Sequence, residues 1–129
     1  MKQDYYNDAE QRPPVWVGHV ALYSERVAES SQFMQLIGMR PVASDDEFAV
    51  LEMRGGTHLV LTSDAESKLI KASFDLMVDD LDTAHERYTE LGLKPGEIER
   101  GRIHDCFELR EPGGTVIIFN SSHVGDLPV

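Results

Sequence analysis

The sequence has few of the features that mark secreted, membrane or nucleic-acid-binding proteins. It has a single cysteine among 129 residues, so one chain cannot form an internal disulfide, and a reducing cytoplasm is the simplest expectation. Its apolar runs, such as Val116 to Phe119, are far too short to cross a membrane as a helix. Basic residues are scarce, because 12 Lys and Arg stand against 23 Asp and Glu, for a net charge of −11. We therefore expect no nucleic acid partner and no membrane partner.

The chain contains two related halves. The segment from Gln35 to Pro41 is matched by the segment from Thr89 to Pro95, and the Gly-Gly-Thr at 55–57 is matched by another at 113–115. The two offsets are 54 and 58 residues, and a four-residue insertion in the second copy, near 97–101, accounts for the difference. Two matches in the same order predict a duplicated module.

The first half has the pattern of a strand, a helix and three further strands. Alternating or continuous apolar residues predict the strands, and Ser24 is placed to cap a helix that Gly38 ends. The predicted strands cover 16–23, 39–43, 47–53 and 57–62.

The second half repeats that order. Leu81, Ala84, Tyr88 and Leu91 recur at helical spacing, and Gly92 ends the helix. The strands predicted after this helix cover 93–98, 103–110 and 115–120. The sequence therefore predicts an α+β fold of two tandem βαβββ modules. The expected organisation is an N-terminal arm (1–14), module one (15–66), module two (67–120) and a C-terminal tail (121–129).

Strand alternation separates two faces of the predicted sheets. One set is entirely apolar and suits the surface that the helices cover: Val20, Leu22, Ala49, Leu51, Met53, Leu59, Leu61, Phe74, Leu76, Val78, Phe107, Leu109, Ile117 and Phe119. The opposite set mixes bulky apolar groups with histidines and carboxylates, as the wall of a small-molecule pocket does. From it we take the candidate ligand-binding residues His19, Tyr23, Phe48, His58, Asp75, His104, Cys106 and Glu108.

Four segments resemble the vicinal oxygen chelate superfamily, which includes glyoxalases, bleomycin-resistance proteins and ring-cleaving dioxygenases. They are Val17-Gly18-His19-Val20-Ala21-Leu22-Tyr23, Leu36-Ile37-Gly38-Met39, Val78-Asp79-Asp80-Leu81-Asp82, and 110–118, which resembles the family's Asp-Pro-Asp-Gly-Asn turn and final strand. The resemblance covers about 15–120. It implies that the two modules curl their mixed sheets into a cup, with the helices on the outer face, usually within a homodimer.

The resemblance also implies a divalent metal in the cup, with ligands from the first and last strand of each module. Carried over by position, these ligands fall on His19, Val60, Ser73 and Ile118. Only His19 keeps a good ligand, whereas a transition-metal site needs three or four N, O or S donors. We therefore expect no metal cofactor at the superfamily's usual positions.

Three functional interpretations follow, and the sequence leaves open whether the protein is an enzyme. The leading interpretation is a metal-independent protein of the bleomycin-resistance type. It binds an aromatic or cationic small molecule, with Phe48 and Tyr23 for stacking and Asp75 and Glu108 for a positive charge. A non-catalytic structural role, with the cup closed by dimer packing, is a further possibility.

The alternative is a lyase, isomerase or dioxygenase with a displaced metal centre. In that interpretation His19, His58, Asp75 and Glu108 hold Fe, Mn, Zn or Ni. No catalytic residue is assigned. His104 and Cys106 lie two apart on one strand, too far for easy contact, and are interpreted as pocket lining rather than as a nucleophile pair.

Overall fold

The structure is a computed structural model, and it describes residues 10–12, 17, 19–102 and 104–121, without the side chain of residue 67. Within these residues the chain forms strands, two α-helices, and short 3-10 helices at Arg54–Gly56 and Ala65–Ser67. The main elements are β1 (His19–Tyr23), α1 (Val27–Leu36), β2 (Arg40–Ser44), β3 (Phe48–Glu52), β4 (His58–Thr62), β5 (Lys71–Val78), α2 (Leu81–Glu90), β6 (Cys106–Arg110) and β7 (Val116–Ser121).

The strands form two mixed sheets, one for each half of the chain. The first sheet has the order β1-β4-β3-β2, and the second has the order β5-β7-β6. In each sheet the first strand of the half pairs in parallel with the last, and the remaining pairs are antiparallel. The predicted α+β class is confirmed.

The two halves repeat each other down to single backbone hydrogen bonds at their helix ends. Gly38 N donates to Gln35 O at 3.1 Å, and Gly92 N donates to Thr89 O at 3.0 Å. Both glycines have a positive φ, of 118° and 80°, a region that a residue without a Cβ enters at little cost. The predicted ends of both helices are confirmed, with an offset of 54 residues.

The turn before the last strand is repeated with the second offset. Met53 N donates to Thr57 O at 2.8 Å, and Glu111 N donates to Thr115 O at 3.0 Å. These residues are 58 apart in the sequence. The repeat found in the sequence is therefore a repeat of backbone geometry.

One helix covers each sheet, and the predicted apolar face lies beneath it. Leu51, Leu59 and Leu61 pack with Phe33 and Met34 of α1. Nine members of the predicted set are buried: Leu22, Ala49, Leu51, Leu59, Leu61, Phe107, Leu109, Ile117 and Phe119. Val20, Met53, Phe74, Leu76 and Val78 are half-buried against the same core.

The second half differs from the prediction because 93–98 is not a strand. Pro95 has no N–H to donate to a ladder, and Lys94 has a φ of 60° that breaks extended backbone. Gly96 N donates to Glu108 O at 2.8 Å, and the pairing with β6 continues only as an isolated bridge between Glu99 and Cys106. The second sheet consequently has three strands where the first has four.

Ser24 does not cap α1 as predicted. The helix begins after Arg26, which has no side-chain cap. The Oγ of Ser24, two residues earlier, accepts from Arg26 N at 2.9 Å and shares a hydrogen bond of 2.7 Å with Ser30 Oγ. The predicted arm and tail lie outside the described residues, apart from 10–12 and from Ser121, which ends β7.

Polar contacts join the two modules. Ser30 Oγ on α1 donates to Glu111 Oε1 at 2.5 Å, in the turn before β7. At a second junction, Arg54 donates to both carboxylate oxygens of Asp79 at 3.1 and 2.7 Å. Each module thus contacts, through its β-turn, the beginning of the other module's helix.

Candidate functional site

The candidate site lies on the open faces, which we define as the sheet faces turned away from α1 and α2. Register divides the open face of the first sheet into three rows, and successive rows lie about 6.6 Å apart along the strands. The polar row is His19, His58, Glu52 and Arg40; the middle row is Ala21, Val60 and Val50; the aromatic row is Tyr23, Thr62 and Phe48.

The polar row is connected by contacts across all four strands. Arg40 Nη2 lies 2.8 Å from Glu52 Oε1, and His58 Nε2 lies 3.2 Å from Glu52 Oε2. The ring centroids of His58 and His19 are 5.6 Å apart, with the planes tilted by 53°. Glu52 therefore orients His58, while Arg40 compensates the carboxylate charge.

The open face of the second sheet holds the other predicted carboxylates. Asp75 Oδ2 accepts from Asn120 Nδ2 at 2.8 Å, and Lys71 Nζ lies 3.4 Å from Glu108 Oε1. Both carboxylates thus have a partner on their own sheet. They are exposed, so the Lys71–Glu108 pair adds little stability.

His104 and Cys106 complete the predicted set on this sheet. His104 Nδ1 donates to the carbonyl of Ser121 at 2.7 Å, and this hydrogen bond fixes the ring beside the end of β7. Cys106 is half-buried, carries a free thiol, and lies opposite Asn120 in the ladder.

The structure brings some of the predicted ligand-binding residues together and separates others. His19 and His58 are neighbours, and Phe48 presents its ring with 39% of the residue exposed. Tyr23 is different, because it is buried and the Lys68 ammonium lies 5.9 Å from the centre of its ring. Its hydroxyl donates to Glu25 at 2.8 Å, which raises the pKa of Tyr23 above its ordinary value. Tyr23 therefore offers no open stacking surface.

Sequence reasoning missed Glu52 and Arg40 as site residues. The face of Glu52 followed from alternation, but its role depends on the register that places it opposite both His58 and Arg40. The pairing of β3 with β4 brings Glu52 opposite His58. The pairing of β2 with β3, whose register shifts between Pro41 and Ala43, brings it opposite Arg40. Only an exact strand alignment would have found this row from the sequence.

A cavity of about 900 Å³ lies between the modules. Val20 and Met53 line it from module one, and Phe74 and Leu76 line it from module two, with Asp75 at its polar margin. These four apolar residues belong to the helix-covered faces, so most of the cavity lies apart from the open faces. Among the described residues, no group of three or more His, Cys, Asp and Glu is arranged to hold a metal ion.

No protein-family model matches the sequence, and no curated protein matches it either. Solved structures do match. A lactoylglutathione lyase from Agrobacterium tumefaciens is 18% identical with a TM-score of 0.73, covering 90% of this chain and 100% of that one. An antibiotic binding protein from Streptomyces sp. CB03234 is 18% identical with a TM-score of 0.70, covering 86% and 98%. A bleomycin-binding protein complexed with bleomycin is 18% identical with a TM-score of 0.62, covering 84% and 98%.

The chain has the vicinal oxygen chelate fold. The resemblance carried by the sequence motifs is thereby confirmed at the level of the fold. Proteins with the vicinal oxygen chelate fold include both enzymes and binding proteins, as these three names show. The fold alone therefore leaves the activity to be argued from the residues of the site.

The residues at the superfamily's metal positions do not fit a metal. Val60 and Ile118 are half-buried apolar side chains, and Ser73 is an exposed hydroxyl. His19 is exposed and lies in a different row from Val60. One imidazole cannot satisfy an ion that takes three or four protein donors.

Proposed function

We propose that this protein binds a small molecule on its open faces without the superfamily's metal. The observation that carries the proposal is the set of side chains at the four metal positions. His19 is the only good ligand among them, and the other three positions hold Val60, Ser73 and Ile118. The remaining surface is suited to binding. Val50 and Val60 form an apolar floor next to Phe48, and polar groups lie at one end of it.

Metal analysis tests the metal-free part of this proposal. The protein is purified without chelator or a metal-affinity tag, and its Fe, Mn, Zn and Ni contents are measured before and after incubation with each ion. We expect well below one ion per chain and no uptake. Near-stoichiometric metal that is lost in His19→Ala would contradict the proposal.

Ligand-induced stabilisation tests the binding part. A ligand that binds only the folded state adds about 2.7 kcal/mol of stability when its concentration is a hundred times its Kd. We expect several planar compounds in a thermal-shift library to raise Tm in the wild type. The increase should be smaller in Phe48→Ala, with Leu36→Ala, an exposed apolar residue on α1, as the matched control. Equal increases in both variants would place binding elsewhere.

The alternative proposal is a metal-dependent lyase, isomerase or dioxygenase with a displaced centre. The contact between His19 and His58 supports half of that ligand set. Asp75 and Glu108 belong to the other sheet and are already bonded to Asn120 and Lys71. Stoichiometric metal, lost in both His19→Ala and His58→Ala, would favour this alternative.

We also propose that the protein is a cytoplasmic homodimer. Exposed apolar side chains at Val42 and Met77 support an association of two copies. Light scattering after size exclusion should give twice the chain mass of 14.5 kDa, and a monomer mass would contradict the dimer. No helix in the described part of the chain is long and apolar enough to cross a membrane.

A further inference from the structure

The cavity between the modules is lined mainly by side chains of the kind that fill a core. Val20 of β1, and Leu76 and Val78 of β5, belong to the faces that the helices cover, yet all three are only half-buried. The cavity measures about 900 Å³, within the range of about 300–1,000 Å³ that small-molecule sites occupy. An apolar molecule that fills it would remove these side chains from water, which is favourable.

Tyr88 of α2 brings one polar group, its hydroxyl, to this apolar lining. The residue is 5% exposed, and its ring packs on Phe107 and Phe119 with centroids 6.0 and 5.5 Å away. Its hydroxyl forms no hydrogen bond among the described residues, whereas every fully buried polar side-chain atom there has a partner. The hydroxyl therefore keeps accessible surface, and the cavity is where Tyr88 meets open space. Burial raises the pKa of Tyr88 above its ordinary value, so the hydroxyl is protonated at neutral pH and can donate.

The first module shows that the fold does not need this hydroxyl. Leu93 N donates to Tyr88 O at 3.0 Å at the end of α2, and Met39 N donates to Met34 O at 2.9 Å at the end of α1. Donors and acceptors of the two bonds are each 54 residues apart, so Met34 is the counterpart of Tyr88. Met34 is fully buried, and its thioether carries no donor. The hydroxyl of module two is consequently open to a role other than folding.

The charged residues of the lining favour a neutral ligand. Arg54 and Asp79 pair with each other through two hydrogen bonds, and Asp75 accepts from Asn120. Asp75 also alternates with the apolar members of β5, so its carboxylate lies on the other side of the strand from the apolar walls. The net charge of −11 further disfavours an anion.

We propose that the cavity between the modules binds a neutral, largely apolar small molecule that carries one hydrogen-bond acceptor, such as an aromatic ketone. The hydroxyl of Tyr88 donates to the acceptor, and the apolar body of the molecule packs on the core-facing side chains of β1 and β5. This site goes beyond the proposed function, because its apolar walls belong to the helix-covered faces rather than to the open faces. The two proposals therefore stand or fall separately.

Two probes of the same shape test the place of this site. 2-Acetylnaphthalene carries a carbonyl acceptor, and 2-isopropenylnaphthalene has a methylene group in place of that oxygen. Each is titrated into the protein while the NMR resonances of the valine, leucine and methionine methyl groups are followed. We expect the largest shifts at Val20, Leu76 and Val78. Shifts centred on Val50 and Val60 would overturn the inference and favour the open face of the first sheet.

Tyr88→Phe tests the hydroxyl, because it keeps the ring. We expect the affinity for 2-acetylnaphthalene to fall about two- to tenfold, the range of one net hydrogen bond, and the affinity for 2-isopropenylnaphthalene to stay unchanged. Tyr23→Phe is the matched control, because the Tyr23 hydroxyl already donates to Glu25 and Tyr23 does not line this cavity. It should leave both affinities unchanged. Equal effects of Tyr88→Phe on the two probes, or equal effects of the two variants, would overturn the inference.

The stability of the protein without ligand gives a second readout for Tyr88. Because the hydroxyl has no hydrogen bond to lose among the described residues, Tyr88→Phe should unfold at the Tm of the wild type or above it. A lower Tm would show that the hydroxyl supports the fold, and the inference would be wrong.

The remaining outcomes separate this inference from the proposed function. If neither probe binds while other compounds raise Tm in a way that depends on Phe48, the inference is wrong and the proposed function stands. If the probes bind the cavity and no compound depends on Phe48, the inference stands and binding on the open face is wrong. If the cavity methyl resonances change when the protein alone is diluted, and neither probe binds, a second copy of the chain covers the cavity and the inference is wrong.

Discussion

Glu111 offers the sharpest test of how the two modules are held together. Its side chain is 1% exposed, and it accepts from Ser30 Oγ at 2.5 Å and from Thr115 N at 3.0 Å. Glu111→Ala leaves Thr115 N and one hydroxyl of the Ser24–Ser30 pair buried without an acceptor, and each costs about 1–3 kcal/mol. We expect a loss of about 2–6 kcal/mol, a large fraction of the 5–15 kcal/mol typical of a whole protein.

Glu111→Gln should be much less harmful. The amide oxygen still accepts from Thr115 N, and the amide nitrogen donates to Ser30 Oγ, which can turn its own proton towards Ser24 Oγ. Thr115 N thus keeps its acceptor, whereas the Ser24 hydroxyl can no longer donate to Ser30 Oγ. We expect a smaller loss than for Glu111→Ala.

Urea unfolding followed by circular dichroism measures these free energies, with Glu97→Ala, an exposed glutamate, as the control for lost charge. The slope of the transition should be the same in all variants, so that the midpoints compare directly. Ordinary surface substitutions change the free energy of unfolding by about 0.5 kcal/mol or less. If the free energies of unfolding of Glu111→Ala and Glu97→Ala differ by no more than that, the buried network contributes nothing and the reasoning is refuted.

Three further predictions follow from local geometry. Gly113→Ala should lower Tm by several degrees, because the new Cβ would overlap the Ser24 side chain; an unchanged Tm would show that the two segments separate easily. Asp80→Ala should cost about 1 kcal/mol in urea unfolding through loss of the cap of α2, and no loss would contradict its role. Arg54 lowers the pKa of Asp79. The stabilising effect of this ion pair should therefore be fully present above the ordinary aspartate pKa and disappear as pH falls through the lowered pKa. An NMR titration should find that pKa raised in Arg54→Gln, and an unchanged pKa would argue against the pairing in solution.

Much of the fold could be predicted because the same module occurs twice in the sequence. The glycines that end both helices, and the turn before the last strand, stand out when the halves are compared, and the structure places the same hydrogen bonds there. The failed strand at 93–98 shows the limit of that comparison. Pro95 is matched by Pro41 in β2, so the repeat alone gives no reason for one to lie in a strand and the other outside it.

The candidate site could be predicted less well, because it depends on contacts between distant segments. Alternation placed Tyr23 on the open face, but the sequence does not show that Lys68, between β4 and β5, lies over its ring. Likewise Arg40 meets Glu52 only through the shifted alignment of β2 with β3. Sequence periodicity predicts the sheet face on which a residue lies. Its contact partners on that face depend on the strand register and on the path of the loops.

The hydrogen bonds that define each module's turns are made by the main chain. The positive φ angles that these turns need occur at glycines, and none of these glycines lies on an open face: Gly38, Gly56, Gly92 and Gly114. Substitutions on the open faces can therefore accumulate without touching the groups that determine the architecture. Such a scaffold is well suited to directed evolution, because the binding specificity of one open face can be changed by substitution while the other sheet stays unaltered and keeps the fold stable.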